Sequence, residues 1–282
     1  PVDPIVSRKC WKTLEPVHAL VYFAPEPQEE YAALGFDVTA NQASGYFPAR
    51  AAALGAVGAG VVQATFFNFS AIACVFGMDR AWETATPAQL QQARWRGADR
   101  ALRRLCGDLL DSPDVLEAVE LARTATTGCT PYGRPLYAAN ASLDWPDVPH
   151  LALFHAVTLL REFRGDGHIA ALVVEGISGL EAAVMHVAQG DAWTREPLRK
   201  TRGYTTEEWE DATARLRARG WLDEADGFTA TGAAVRQRVE DRTDVLALPA
   251  WEALGEQGCA RLRELVRPLS AAVIEGGGLR IR

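Results

Sequence analysis

The sequence predicts a mainly α-helical protein: a helical domain over residues 1–145, then a winged-helix domain over 146–282 with a small two-stranded wing and a C-terminal helix. Three observations lead there. Residues 1–145 read as helix after helix, each with recognisable start and stop residues. The segment Gly128 to Pro149 carries Pro131, Pro135, Pro146 and Pro149, the composition of a linker or crossing strap, with a boundary near Trp145. Beyond it, helix, turn, helix, hairpin and helix follow in the order of a winged helix.

Composition bounds the function. With 282 residues, 48% hydrophobic and 23% charged, the chain can bury a sizeable core. A net charge of -7 opposes a nucleic-acid or anionic-membrane surface spread over the whole molecule. The five cysteines are odd in number, widely spaced and without a CxxC pair, as expected of reduced thiols in a cytosol. The longest apolar run, Ala51 to Phe69, is broken by glycines, Gln63 and Asn68, and no basic, apolar leader opens the chain. The expectation is a cytoplasmic protein with no membrane partner.

In order, Trp11 to Phe23 carries an apolar face interrupted by Glu15, Pro16 and His18, and Gln28 to Leu34 is a short amphipathic helix ended by Gly35. From Gly45 the chain runs GYFPARAAALGAVGAGVVQATFFNFS, small residues bracketed by Tyr46, Phe47, Phe66, Phe67 and Phe69. An apolar wall whose few polar groups are Arg50, Gln63 and Asn68 suits a small-molecule cavity, and a tightly packed helix hairpin uses the same letters. Thr86 and Pro87 start a helix over Ala88 to Leu105 whose arginines, Arg94, Arg96, Arg100, Arg103 and Arg104, read as a solvated face. Ser112 and Pro113 open the next helix.

The stretch HLALFHAVTLLREFRGDGH, His150 to His168, concentrates the chemistry. Apolar residues at helical spacing run from Pro149, and Gly165 reads as the stop. Asp166 then sits where an N-cap belongs for a second helix, Gly167 to Glu175. Two helix ends would gather Arg161, Arg164, Asp166 and His168 into a corner able to hold an anion; the same residues serve as caps and dipole partners if the corner is exposed. Further on, Thr194 caps Arg195 to Thr201, Gly203 makes the turn, and Thr205 caps Glu207 to Arg219. Asp223 to Gly227 turns the wing, and FTATG leads into Ala233 to Leu246. A last helix covers Glu256 to Ile274.

LRARGWLD, the wing and TATG resemble the winged helix of MarR-like regulators. HALVYF, GYFPARAAALG, FFNF, RPLYAA and REFRGDGH extend the likeness over nearly the whole chain, which resembles an actinobacterial family of helix-turn-helix-containing proteins of unknown role. Where that family's pattern has Trp before the helix histidine and His within RExRGDGH, this chain has Phe154 and Phe163. The resemblance implies the fold, and by analogy with MarR-like proteins a homodimer.

The would-be recognition helix argues against DNA as a partner. Its first half carries Glu207, Glu208, Glu210 and Asp211, the wing tip carries Asp223, Glu224 and Asp226, and Thr194 to Asp226 holds seven Lys/Arg against eight Asp/Glu. No P-loop, Rossmann, HExxH or GxSxG signature is present, the five histidines lack metal-ligand spacing, and no cofactor is identified. The expectation is a small-molecule-binding protein with its pocket between the two domains. His18, Tyr46, Phe47, Arg50, Phe67, Asn68, Arg161, Arg164 and Asp166 would bind the ligand, and His168 or His155 would act as general acid or base if the protein is a metabolite-tailoring enzyme. The winged helix would then be scaffold. The alternatives are a MarR-like ligand-responsive regulator and a sequestering or resistance protein.

Overall fold

The computed structural model describes residues 2–39, 42–190 and 194–279. Prolines and small hydroxyl side chains start most of the helices, as the sequence signals require. Asp3 caps α1 (Pro4–Phe23), which bends directly into α2 (Pro25–Ala33). The small-residue passage forms α3 (Gln42–Ala51), a single 3-10 turn and α4 (Ala59–Phe66); Ser70 then caps α5 (Ala71–Gly77), and the short α6 (Ala81–Thr84) follows. A Thr86/Gln89 capping box opens α7 (Pro87–Cys106), Ser112 opens α8 (Pro113–Thr126), and Pro135 begins α9 (Pro135–Ala141).

The central element is α10 (Pro149–Val174), 26 residues without a break. Here the structure corrects the reading of a stop at Gly165 and a cap at Asp166. Both residues lie inside one helix, and burial of most of its length outweighs the weak helix preference of two glycines. Gly167 permits a close approach: a Cβ there would lie 2.8 Å from Arg134 Nη1 and 3.2 Å from Leu246. Asp166 does cap a helix, but a different one, accepting from the backbone N–H of Tyr137 in the first turn of α9 at 2.9 Å.

The C-terminal part holds α11 (Gly179–Ala188), α12 (Arg195–Arg202), α13 (Thr206–Ala218) and α14 (Ala230–Glu275). Gly203, at φ 74°, makes the left-handed turn between α12 and α13, and Thr205 with Glu208 closes a capping box on α13. This is a helix-turn-helix. The two-stranded wing is absent: among the described residues the one trace of pairing is a single antiparallel bridge between Leu222 and Phe228. The arms are too short for strands. Trp221 N–H still closes α13 by bonding to Leu216 O, and Thr229 already caps α14, which leaves about one extended residue on each side of the turn. The span called α14 is two helices meeting at a sharp break at Gly255 (φ 74°, ψ 165°), with Pro249 in the first and Pro268 in the second.

Three cores result. The largest joins α1, α7, α8, α10 and the second half of α14 through residues such as Leu20, Leu102, Phe154 and Leu262, so residues from both sides of Trp145 share it. A second packs Tyr31, Phe47, Phe66, Phe69 and Leu90. The third is the helix-turn-helix core of Leu180, Leu198, Trp209, Leu216 and Trp221, completed by Ala171 and Leu172 from the end of α10 and Val235 and Val239 from α14. No single helix among the described residues is long and apolar enough to cross a membrane.

The helix-turn-helix is docked on the aromatic unit. Ser70 N–H donates to Arg202 O at 2.9 Å, the Arg202 guanidinium lies 4.4 Å from the Phe69 ring centre, and a Cβ on Gly203 would come within 2.6 Å of Ala73. At Gly179 a Cβ would meet the Phe67 carbonyl oxygen at 1.9 Å. Gly179→Ala should therefore lower stability by about 1–3 kcal/mol through overpacking against backbone, whereas Gly60→Ala, with open space around it, should be neutral or stabilising by up to about 1 kcal/mol. Urea titration of both variants checks the contrast.

Candidate functional site

Four helices bring a charged cluster into the interior. From α1 come Glu15, His18 and Tyr22, at spacings of three, four and seven that put them on one face. Tyr46 and Arg50, four apart, come from α3; Thr158, Arg161 and Glu162 come from α10. Arg94 of α7 adds a third guanidinium, only 3% exposed.

The bonds run in one direction. Thr158 donates its hydroxyl to Phe154 O (2.8 Å), so its oxygen accepts from His18 Nδ1–H (3.0 Å), and His18 Nε2 in turn accepts from the Tyr22 hydroxyl (2.7 Å). His18 is stacked on Phe154, and burial first, then Arg161, Arg94 and Arg50, hold it well below the ordinary histidine range. It is a neutral structural group with one nitrogen donating and the other accepting. Glu162 accepts from Arg161 Nη1 (2.9 Å) and Arg50 Nη2 (3.3 Å), and Arg50 also donates to the Tyr46 hydroxyl (3.1 Å). Burial alone would raise the Glu162 carboxyl; Arg161, Arg50 and Arg94 overcome it and hold it down at about 2. Glu15 accepts from Trp11 Nε1 (3.0 Å) and faces Arg161 at 3.6 Å, with burial raising its pKa.

The cluster thus sets Arg50, Arg94 and Arg161 against Glu162 and Glu15. Arg50 Nε and Arg94 Nη2 are buried with no acceptor among the described residues, so this cluster, called the chamber below, has positive charge and N–H donors in excess of its acceptors; the cavity beside Arg161 and Glu15 measures about 10 Å³, room for one water. Such an excess is complementary in charge to an oxyanion. Among the described residues, no three His, Cys, Asp or Glu side chains converge as metal ligands.

The structure brings His18, Tyr46, Arg50 and Arg161 together, with Phe47 packed 5.2 Å behind Tyr46. The other expected site residues point elsewhere. Phe67, in a left-handed conformation (φ 59°), ends α4 and packs its side chain on the helix-turn-helix core, while Asn68 beside it lies against Gly179. Arg164 faces α14, pairing with Asp244 (2.7 Å) and Glu240 (3.4 Å) over the Trp11 ring. Asp166, raised to about 6 mainly by burial, holds α9. His168 bonds Thr243 at 2.9 Å, and His155 stands edge-on to Trp145 and Trp95. Neither proposed acid or base is among the groups that contact the chamber's ion pairs. Sequence reasoning passed over Tyr22, Glu162 and Arg94. Arg94 shares a helix face with Leu90, Ala98 and Ala101, and that spacing is the signal that separates it from the four exposed arginines of α7.

Two expectations follow. Glu162→Gln strands two buried guanidinium groups and should lower stability by about 3–5 kcal/mol in urea titration. Burial holds both His155 and His168 down at about 4. A depressed histidine stabilises the fold above its unfolded value of about 6.5, and that contribution is lost as pH falls toward about 4, roughly 3 kcal/mol for each histidine. Asp166 acts with the opposite sign, contributing at low pH and losing its contribution as pH rises through about 6. His168→Gln, which can keep the Thr243 bond, should flatten the loss of stability between about pH 7 and 4.5.

A family profile described as a helix-turn-helix family matches residues 7–280. No curated protein and no solved structure matches the chain significantly. The profile spans nearly the whole sequence and the α12–Gly203–α13 turn lies within it, so the chain belongs to this helix-turn-helix family.

Proposed function

We propose that this chain is a ligand-responsive helix-turn-helix protein: an acidic small molecule binds at the Arg50, Arg161 and Arg94 chamber, and the helix-turn-helix responds as a regulatory module. The observation that carries the reading is α10. One unbroken helix presents Arg161 and Glu162 to the chamber and, about 15 Å along its axis at 1.5 Å per residue, Ala171 and Leu172 to the helix-turn-helix core. The tailoring-enzyme reading loses support because His168 bonds Thr243 of α14, His155 stands among Trp95 and Trp145 without contacting Arg50, Arg161 or Glu162, and His18 has both nitrogens bonded. Likeness to MarR-like regulators rests on the turn between α12 and α13, since the wing is missing.

In the docked arrangement the helix-turn-helix is not disposed to hold a duplex. Glu207, Glu210 and Asp211 are exposed on α13. The arginines that could offset them are engaged within the unit: Arg195 with Glu210, Arg215 with Glu181, Arg217 with Asp226, and Arg219 with the carbonyls of Glu175 and Gly176. The turn itself is covered by Ser70 and Ala73. Binding to DNA therefore calls for undocking, and it depends on a few phosphate contacts and is strongly weakened by salt. The test is selection from a random duplex pool by the full chain at low and at physiological salt. An enriched sequence supports the regulator. No enrichment at either salt overturns it and leaves the helix-turn-helix as scaffold or as a protein-binding module.

A further inference from the structure

A second group of unmatched donors lies on the other side of Arg94. His155 is 1% exposed, and its Nε2 has no hydrogen-bond partner among the described residues; neither do Arg94 Nη2 and Arg123 Nε. These nitrogens come from α10, α7 and α8. The groups are neighbours: the Arg94 guanidinium lies 5.8 Å from the ring centre of Phe154, the residue before His155, and Trp145 lies between His155 and Arg123; Arg94 and Arg123 accordingly push His155 downward after burial itself. The Arg123 guanidinium lies 4.2 Å from the centre of the Trp145 ring, and Trp145 and Trp95 stand edge-on to the His155 ring at 4.9 and 6.3 Å. Among the described residues no ion pair involves Arg94 or Arg123, and Glu162, the carboxylate near Arg94, is already shared by Arg50 and Arg161.

Two guanidinium groups beside a buried imidazole, without a counter-charge, form an arrangement that folding alone disfavours. We propose that a small carboxylate anion binds between Arg94 and His155, beneath the Trp95 and Trp145 indoles, as the counter-ion this corner lacks. A carboxylate offers two oxygens in one plane, able to accept from Arg94 Nη2 and His155 Nε2 together. Access is at hand. A surface groove of about 310 Å³, lined by Gln92, Trp95, Asp99, Val148 and Leu151 among others, runs past Trp95, a half-buried side chain that also faces His155. Rotation of that indole opens the corner to the groove, where the apolar body of a larger carboxylate would lie against Val148 and Leu151.

The site shares Arg94 with the cluster of Arg50 and Arg161, so His155 and Arg50 are the residues that tell the two apart, and acetate is the probe that tests it. Calorimetric titration of sodium acetate at constant ionic strength into the full chain should give saturable binding, weakened roughly tenfold or more in Arg94→Met and His155→Phe, a loss of about 1.4 kcal/mol. Each variant is first shown by circular dichroism to be folded. Arg50→Met should keep the wild-type acetate affinity. Acetate should raise the melting temperature of the wild type and of Arg50→Met, and leave that of Arg94→Met and His155→Phe unchanged. Absence of saturable binding overturns the proposal. So does binding unaffected by His155→Phe but lost in Arg50→Met, which would place the anion beside Arg50 and Arg161 and support that reading instead.

Discussion

The arrangement of this molecule depends on one buried carboxylate. Glu162 holds guanidinium groups from α3 and from its own helix, and through Arg161 it is linked to Glu15 on α1. Taking a carboxylate out of water is costly, and only several cations at short range keep it ionised. Three surround it, and its carboxyl stays near 2 although burial drives it upward. The aromatic rings of Tyr22, Tyr46 and Phe66 exclude water around this group, and Arg50 lies 4.3 Å from the Phe66 ring centre. Charge and apolar packing are thus interdependent: the rings lower the local polarity that makes the ion pairs strong, and the ion pairs fix the rings.

Much of the fold was legible because its signals are local. Thr86 with Gln89, Ser112 with Pro113, and Thr205 with Glu208 act within a single turn, and each cap forms where the sequence places it. The turn at Gly203 is of the same kind. RGDG at Arg164 to Gly167 was misread because a glycine that ends a helix and one inside a buried helix are the same letter; Gly165 continues α10, and Gly167 is where Arg134 and Leu246, far away in sequence, approach closely. The wing failed for a related reason. Its turn residues are present, yet the ends of α13 and α14 consume the residues that strands would need.

The site was half legible. His18, Tyr46, Arg50 and Arg161 were singled out by residue type and setting, and they do meet. Glu162 and Arg94 were not, since a charged residue on a helix reads as solvated until its tertiary neighbours are known. His155 and His168 belong to the same helix as Arg161 and still face other surroundings, because positions along a helix turn by about 100° per residue.

The continuity of α10 has a mechanical consequence. A rigid helix pivoting about Glu162 acts as a lever, and a tilt of about 5° displaces a point 15 Å away by roughly 1.3 Å. Leu172 sits at about that distance, wedged among the side chains beneath α11 and α13. Interiors packed to crystalline density absorb little of such a stroke and repack in discrete steps. Replacement of Glu162's partners by a visitor in the chamber would be felt at the far end as a change of seat for the whole three-helix head.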